Sequence, residues 1–114
     1  MKPKELNKLY EKRKAEYLQD IQNDDLSYTC KGCDCDVYEV SIHHIIKRSK
    51  LKFYYADKRN FVELCCGCHI LAEGTIMMQK MLDCYDEMES TREALMNEYY
   101  SLEPFEQTLL FKYG

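Results

Sequence analysis

The sequence predicts an α+β domain in which a small β region lies between helical segments at the two ends of the chain. Apolar residues recur at helical spacing near both termini, β-branched and aromatic residues are concentrated in the middle, and paired cysteines flank that middle segment. With 114 residues, the chain has the length of one domain with a single core. We therefore expect one domain over residues 1–114, with a flanking helix in 1–24, a core in 28–74 and a helical extension in 75–114.

The composition is that of a folded globular protein, since 46% of the residues are hydrophobic and 32% are charged. No apolar run approaches the length that is needed to cross a membrane. The charged start, Met1-Lys2-Pro3-Lys4-Glu5, lacks the apolar core of a signal peptide, which argues against secretion. The expected location is therefore the cytoplasm.

The first segment predicts an amphipathic helix from Pro3 to about Gln22. Its apolar side chains recur at spacings that suit one helical face, namely Leu6, Leu9, Tyr10, Tyr17, Leu18 and Ile21. The polar run Asn23-Asp24-Asp25 ends this pattern.

The central segment predicts a short strand or hairpin, followed by a second short strand or its remnant. The first lies among β-branched and aromatic residues, which are Val37, Tyr38, Val40, Ile42, Ile45 and Ile46. Phe61-Val62-Glu63-Leu64 forms the second, after an exposed connection over residues 47–60. A helix is expected to begin near Cys68.

The last segment predicts a long helix from Thr75 to about Leu102, although Thr91 interrupts its apolar stripe. The stripe consists of Met77, Met81, Cys84, Met88, Leu95 and Tyr99. Pro104 marks a stop, and residues 105–111 predict a short terminal helix. We expect the long helix to pack against the amino-terminal helix; the alternative is a homodimer interface or a docking surface for a larger protein assembly.

The seven cysteines favour metal binding over disulfides, because the number is odd and no export signal is present. Four of them form two Cys-x-x-Cys turns, each with glycine before its second cysteine, and predict a closed structural zinc site: Cys30, Cys33, Cys65 and Cys68. The two turns lie further apart than the about 15–20 residues of a simple zinc finger, so a sizeable insertion separates them. Cys35 and Cys66 could compete as ligands, whereas Cys84 is expected in the core.

The formal net charge of −4 does not by itself indicate a nucleic-acid partner. The charge is distributed unevenly, however. The connection over residues 47–60 contains one acid, Asp57, and the cations Lys47, Arg48, Lys50, Lys52, Lys58 and Arg59. The segment after Glu63 is acidic, so we expect any DNA to approach from the side opposite the long helix.

All three histidines lie in one ordered set of motifs. The order is Ile42-His43-His44-Ile45-Ile46, then Lys58-Arg59-Asn60, then Cys65-Cys66-Gly67-Cys68-His69. Between Cys30 and Glu73 the sequence closely resembles the HNH nuclease family. The resemblance implies a ββα-metal (His-Me finger) core, a substrate of DNA and hydrolysis of its phosphodiester bonds. The size and motif layout resemble stand-alone HNH proteins of phages and mobile elements.

The resemblance also implies a role for each motif residue. His44 takes the position of the general base that activates water, while His43, on the other side of its strand, and His69 take metal-ligand positions. Asn60 either braces the loop near the base or contributes to the metal shell. Products with 5′-phosphate and 3′-hydroxyl ends are expected.

The identity of the catalytic metal stays open among Mg²⁺, Mn²⁺, Ni²⁺ and Zn²⁺. Many relatives have Asp where this chain has His43, and imidazole shifts preference away from Mg²⁺. Glu73, four residues after His69, lies on the same helix face and either supplements the ion or is a solvated surface carboxylate.

The six cations of residues 47–60 are expected to contact DNA phosphates, with Tyr54 or Tyr55 stacking against bases.

Two other interpretations compete with the nuclease. One is a non-catalytic zinc-binding adaptor for nucleic acid or protein, and the other is an interaction protein that uses the Met- and Tyr-rich surface.

Overall fold

The computed structural model describes residues 2–109 and has a mixed architecture of helices with two small sheets. In chain order the elements are α1 (Pro3–Ile21), β1 (Tyr28–Thr29), β2 (Asp36–Val37), β3 (Ser41–His44), β4 (Phe61–Leu64), α2 (Cys66–Ala72), α3 (Ile76–Gln79), α4 (Tyr85–Tyr100) and α5 (Pro104–Gln107). The α+β class is confirmed. None of the helices in residues 2–109 is long and apolar enough to cross a membrane.

Helix α1 has the bounds that its apolar spacing predicts. Pro3 stands in the first turn, where its missing N–H costs no hydrogen bond, and the backbone becomes extended at Gln22. The buried Leu6 packs with Ala56, and a few half-buried side chains surround them: Leu9, Tyr10 and Tyr55. The helix is therefore held against the middle of the chain.

The two sheets are antiparallel pairs. β1 pairs with β2, with Tyr28 opposite Val37, and the first Cys-x-x-Cys turn lies between them. β3 pairs with β4, with Ser41 opposite Leu64 and His44 opposite Phe61. All four residues of β4 are buried, so this strand lies in the interior with its two faces covered.

The core consists mainly of two clusters of buried residues. One surrounds the cysteines and contains Cys30, Ile45, Val62, Leu64, Cys68, Ala72, Leu82, Cys84 and Met88. The other contains Ile46, Phe53, Tyr54 and Leu95. Cys84 is a core residue, as its place on the apolar stripe predicts.

The prediction of one continuous helix after Thr75 is wrong. Thr75 caps α3, accepting a hydrogen bond from the Met78 N–H at 3.3 Å, and the chain then turns before α4 begins. The turn buries Leu82 against the cysteines, and the Asp83 N–H donates to the Gly32 carbonyl at 2.9 Å. Tertiary contacts thus override the local helical pattern, and the stripe residue Met77 is 81% exposed.

Helix α4 packs on the centre of the molecule rather than mainly on α1, contrary to the expectation. Its buried Met88 belongs to the cluster around the cysteines, and its buried Leu95 packs on Phe53 and Tyr54. Helix α5 is shorter than the predicted terminal helix, whose residues 110 and 111 lie outside the described part of the chain.

Candidate metal centres

The two Cys-x-x-Cys turns meet in space. The β1–β2 turn supplies Cys30 and Cys33, and the junction between β4 and α2 supplies Cys65 and Cys68. Their four Sγ atoms lie within 4.8 Å of one another, and Cys33 and Cys65 are 3.9 Å apart at sulfur. A ZnS₄ tetrahedron with Zn–S bonds of about 2.3 Å has edges of about 3.8 Å. We refer to these residues as the cysteine cluster; their geometry is compatible with structural zinc.

Backbone amides stabilise the thiolate form of the deepest ligand. The N–H groups of Gly32 and Cys65 approach Cys30 Sγ at 3.3 and 3.2 Å. Burial alone would raise the pKa of Cys30, but these amides and that of Cys33 outweigh it and lower the pKa to about 7. The thiolate is the form that binds metal.

The two glycines of the motif have different roles. A Cβ at Gly32 would lie 2.8 Å from Cys68 Sγ and 2.8 Å from Leu82 Cδ2, so a side chain there collides with the packed cluster. A Cβ at Gly67 meets nothing within 4 Å. Only Gly32 is therefore required by close packing.

Cys35 and Cys66 stand outside the cysteine cluster. Both are exposed, and the Cys35 thiol points to the Cys33 carbonyl at 3.8 Å. No cysteine in residues 2–109 forms a disulfide. The structure thus brings together Cys30, Cys33, Cys65 and Cys68 and leaves the two possible competitors outside.

A second group of potential ligands lies between β3 and α2. Glu73 Oε1 is 3.0 Å from His43 Nδ1 and 3.6 Å from His69 Nε2, and the ligand atoms of all three lie within 4.8 Å of one another. We call these residues the histidine–glutamate cluster. The structure brings the two predicted histidine ligands together and adds Glu73, which the four-residue spacing from His69 had indicated as one of two options.

The electrostatics of this cluster favour ligands in their metal-binding forms. Burial lowers the pKa of His43, although the nearby Glu73 carboxylate opposes the effect. Burial would raise the pKa of Glu73, but Lys47 and His43 hold it below its usual value. Lys47 Nζ lies 3.1 Å from Glu73 Oε2, so the two carboxylate oxygens face different partners. Two imidazoles and one carboxylate are donors that suit Mn²⁺, Ni²⁺ or Zn²⁺.

His44 lies on the opposite face of β3 from His43. Its ring is surrounded by aromatic rings, stacked on Tyr55 at 4.8 Å and near Tyr10 at 5.1 Å and Phe61 at 5.5 Å. Nε2 is 3.0 Å from the Tyr55 carbonyl oxygen, and a carbonyl only accepts hydrogen bonds. Nε2 therefore carries the proton, and Nδ1 holds the free lone pair.

The environment of His44 keeps its ring neutral, and the histidines of the histidine–glutamate cluster also affect its pKa. Burial lowers the pKa of His44, the hydrogen bond to Tyr55 opposes this, and His43 and His69 lower the pKa further. Tyr10, which α1 supplies, was not identified from the sequence as a site residue. Its apolar helix face gave no sign that it would meet a histidine 34 positions away.

Asn60 braces the loop between the strands. It is fully buried, its Oδ1 accepts from the Ile46 N–H at 2.7 Å, and its Nδ2 donates to the carbonyls of Ile46 and Tyr54 at 3.1 and 3.2 Å. Of the two roles expected for this residue, the structure shows the brace. The loop that it holds carries the Tyr55 carbonyl, the partner of His44.

Half of the cations in residues 47–60, the basic loop, are engaged in ion pairs. Arg59 contacts Asp57 at 2.7 Å and Glu98 at 3.0 Å. Lys58 and Lys47 likewise contact Glu16 and Glu73, at 3.3 and 3.1 Å. Within residues 2–109, three cations of the loop pair with no carboxylate, namely Arg48, Lys50 and Lys52. These three are the cations most available to an external anion.

The expectation that Tyr54 stacks on bases is wrong. Tyr54 is fully buried, and its hydroxyl lies 2.8 Å from the Leu95 carbonyl and 2.7 Å from a Glu98 carboxylate oxygen. Tyr55 is half-buried and stacks on Tyr10 at 4.6 Å instead. Both tyrosine side chains therefore make contacts within the domain.

None of the family models, curated proteins or solved structures with which the chain was compared matches it.

Proposed function

We propose that the chain is a metal-dependent endonuclease of the HNH type that hydrolyses phosphodiester bonds in DNA. The observation that carries the proposal is the arrangement along β3. His43 joins His69 and Glu73 in one potential metal site, while the adjacent His44 is a neutral imidazole with a free Nδ1. In this proposal β3, β4 and α2 form the ββα-metal core, and the cysteine cluster holds structural zinc.

His44 is the general base. Its Nε2 proton is held by the Tyr55 carbonyl, and its Nδ1 lone pair accepts the proton of the attacking water. The oxygen of that water forms a bond to phosphorus, and the bond from phosphorus to the 3′ oxygen breaks. Stacking on Tyr55 and the tilted contact with Tyr10 limit rotation of the imidazole, which keeps Nδ1 in position.

The histidine–glutamate cluster is the proposed site of the catalytic metal. A divalent ion held there would neutralise charge on the phosphate and stabilise the leaving 3′ oxygen. His43 and His69 would hold the ion through their imidazole nitrogens, and Lys47 orients Glu73 by contacting its second carboxylate oxygen. This donor set favours Mn²⁺, Ni²⁺ or Zn²⁺ over Mg²⁺, for which oxygen ligands are preferred.

Nicking of a supercoiled plasmid tests the proposal, with Mn²⁺, Mg²⁺, Ni²⁺ or Zn²⁺ added to the zinc-loaded protein. We expect His44→Ala to lower the cleavage rate by about 100-fold or more, the usual contribution of a positioned base. Tyr38→Ala is the matched control, because this exposed residue lies near the same hairpin and outside both clusters. Cleavage by His44→Ala at the wild-type rate would refute the assigned base.

A non-catalytic zinc-binding adaptor for nucleic acid is the second candidate. The ion pairs of Lys47, Lys58 and Arg59 favour it, because they reduce the positive potential that a DNA-cleaving loop offers to phosphate. Retained binding of DNA, with no nicking under any of the four metals, would support the adaptor and contradict the nuclease.

A further inference from the structure

A half-open cavity of about 270 Å³ lies beside the histidine–glutamate cluster. We call it the Arg92 pocket. Apolar side chains from the two residues after β3 and from helices α2 to α4 form its floor, namely Ile45, Ile46, Ala72, Ile76 and Met96. Polar and cationic side chains also line it: His43, Lys47, Lys50, Gln79 and Arg92. Its volume lies slightly below the range of about 300–1,000 Å³ for pockets that take drug-sized ligands.

The pocket adjoins the proposed catalytic site. His43 and Lys47 line it, and both contact Glu73, at 3.0 and 3.1 Å. A group bound in the pocket therefore lies next to any phosphate that the histidine–glutamate cluster holds. The pocket's chemistry then bears directly on what is attached to that phosphate.

The charge of the lining suits an anionic ligand. Lys47, Lys50 and Arg92 line the pocket, and none of its described lining residues is a carboxylate. Lys47 and Arg92 contact Glu73 and Glu89 outside the lining, so Lys50 is the cation most available to an anion. The Arg92 guanidinium is fixed in place, since its Nε and Nη2 donate to the Ile45 carbonyl at 3.3 and 3.0 Å while Nη1 contacts Glu89. Lys50 is exposed and pairs with no acid in residues 2–109.

The lining also offers a group that can accept a hydrogen bond from a base. Gln79 Nε2 donates to the Gly74 carbonyl at 3.0 Å, which fixes the amide and leaves its Oε1 as an acceptor. Cations around an apolar floor, with one polar acceptor, match the parts of a nucleotide: an anionic phosphate, a flat apolar base face and a donor edge.

We propose that the Arg92 pocket takes one nucleotide adjacent to the scissile phosphate, with its base unstacked from the strand and laid on the apolar floor. This inference rests on the proposed nuclease function and specifies its substrate. Bases of a duplex are stacked and paired, so they enter such a pocket only after extrusion, which costs least in single-stranded DNA. The preferred substrate is therefore single-stranded or locally opened DNA.

Two substitutions on α3 test the pocket with the same change in charge. Ile76→Glu places a carboxylate in the pocket, whereas Met77→Glu places one on the neighbouring residue, which does not line it. Both side chains are exposed, 57% and 81%, so both variants are expected to fold. Circular dichroism and zinc content check this expectation.

The readout is binding of a single-stranded oligonucleotide that contains one 2-aminopurine, a base whose fluorescence rises when it unstacks. Measured in the His44→Ala background with Mn²⁺, Ile76→Glu is expected to weaken binding about tenfold and abolish the rise, because it removes apolar contact with the base and places a negative charge near the phosphate. Met77→Glu should leave the dissociation constant within about twofold, as rim charges contribute little. Equal weakening by both variants would overturn the proposal.

Cleavage separates failure of this inference from failure of the proposed function. Active wild-type protein should cleave a single strand faster than the matching duplex. Equal cleavage of both, with no fluorescence rise, would overturn the pocket assignment and leave the nuclease intact. A fluorescence rise that Ile76→Glu abolishes, with no cleavage under any metal, would support the pocket and contradict the nuclease.

Discussion

The cysteine cluster and the histidine–glutamate cluster are built in opposite ways. In the first, Cys30 and Cys68 are buried and backbone amides donate to sulfur. In the second, only His43 is buried, and the side chain of Glu73 is 46% exposed. Four ligands close a tetrahedral site, whereas three leave positions for water or substrate. The contrast is that expected between a closed site that stabilises the fold and an open site that can take a substrate.

The two clusters also differ in what holds their ligands. Backbone hydrogen bonds hold the first Cys-x-x-Cys turn in place. The Lys31 N–H donates to the Glu63 carbonyl at 3.1 Å, and the Asp83 N–H donates to the Gly32 carbonyl at 2.9 Å. Glu73 is held through side-chain contacts to His43 and Lys47. Side chains rearrange more readily than a packed backbone, so the second cluster is the more adjustable one.

The largest expected effect comes from breaking the cysteine cluster. Cys30→Ser should lose zinc and the cooperative unfolding transition, because structural zinc contributes about 10–16 kcal/mol of apparent binding energy to folding. Cys66→Ser is the matched control: this exposed neighbour lies outside the cluster and should shift stability by about 0.5 kcal/mol or less. Zinc analysis and thermal melts by circular dichroism measure both. A folded Cys30→Ser protein with one full equivalent of zinc would contradict the assignment.

Chelation sharpens the same comparison in the wild-type protein. A mild chelator should remove metal from the histidine–glutamate cluster while the fold survives, since loss of the cysteine-held zinc is what unfolds the domain. Simultaneous loss of both metals at one chelator concentration would count against two separate sites.

A smaller effect is expected from packing at the motif glycines. Gly32→Ala should destabilise the protein by about 1–3 kcal/mol, because its Cβ would lie 2.8 Å from Cys68 Sγ. Gly67→Ala should be neutral or stabilising by up to about 1 kcal/mol, since it adds a better helix former in open space. Urea denaturation of the zinc-loaded variants compares them. Equal stability of the two variants would show that the first Cys-x-x-Cys turn is not closely packed.

The smallest effect is expected from the adjustable cluster. Glu73→Gln should weaken binding of Mn²⁺ about tenfold, because it removes the negative charge while it keeps the shape of the side chain. Thermal stability should stay nearly unchanged, since the Glu73 side chain is half exposed. Isothermal titration calorimetry measures the affinity, with the exposed Glu39→Gln as control. Unaltered affinity in Glu73→Gln would remove this residue from the metal site.

Local sequence patterns predicted the elements that depend on neighbouring residues. The apolar spacing gave α1 its bounds, and the alternation of β3 gave His43 and His44 opposite faces, because side chains alternate along any strand. The same patterns failed after Thr75, where burial of Leu82 against the cysteines ended the helix. The free energy gained by burying the Leu82 side chain outweighs the free energy gained by continuing an exposed helix for a few turns.

Charge was the least predictable property. The basic loop has six cations in the sequence, yet Lys58 and Arg59 meet carboxylates that lie more than 38 positions away, on α1 and α4. Nothing in the local sequence shows these partners. The same holds for Arg92, whose helix brings it to the Ile45 carbonyl across 47 positions.

The sequence by itself determined the ligand types: two cysteine pairs, two adjacent histidines and a third beside the second pair. Only the tertiary structure decided that Glu73 joins His43 and His69, that Tyr10 packs on His44, and which cations stay unpaired. The physical reason is the distance along the chain over which each effect acts. Residue type and periodicity act over one or two turns of chain, whereas a site is assembled by contacts between segments that the fold brings together.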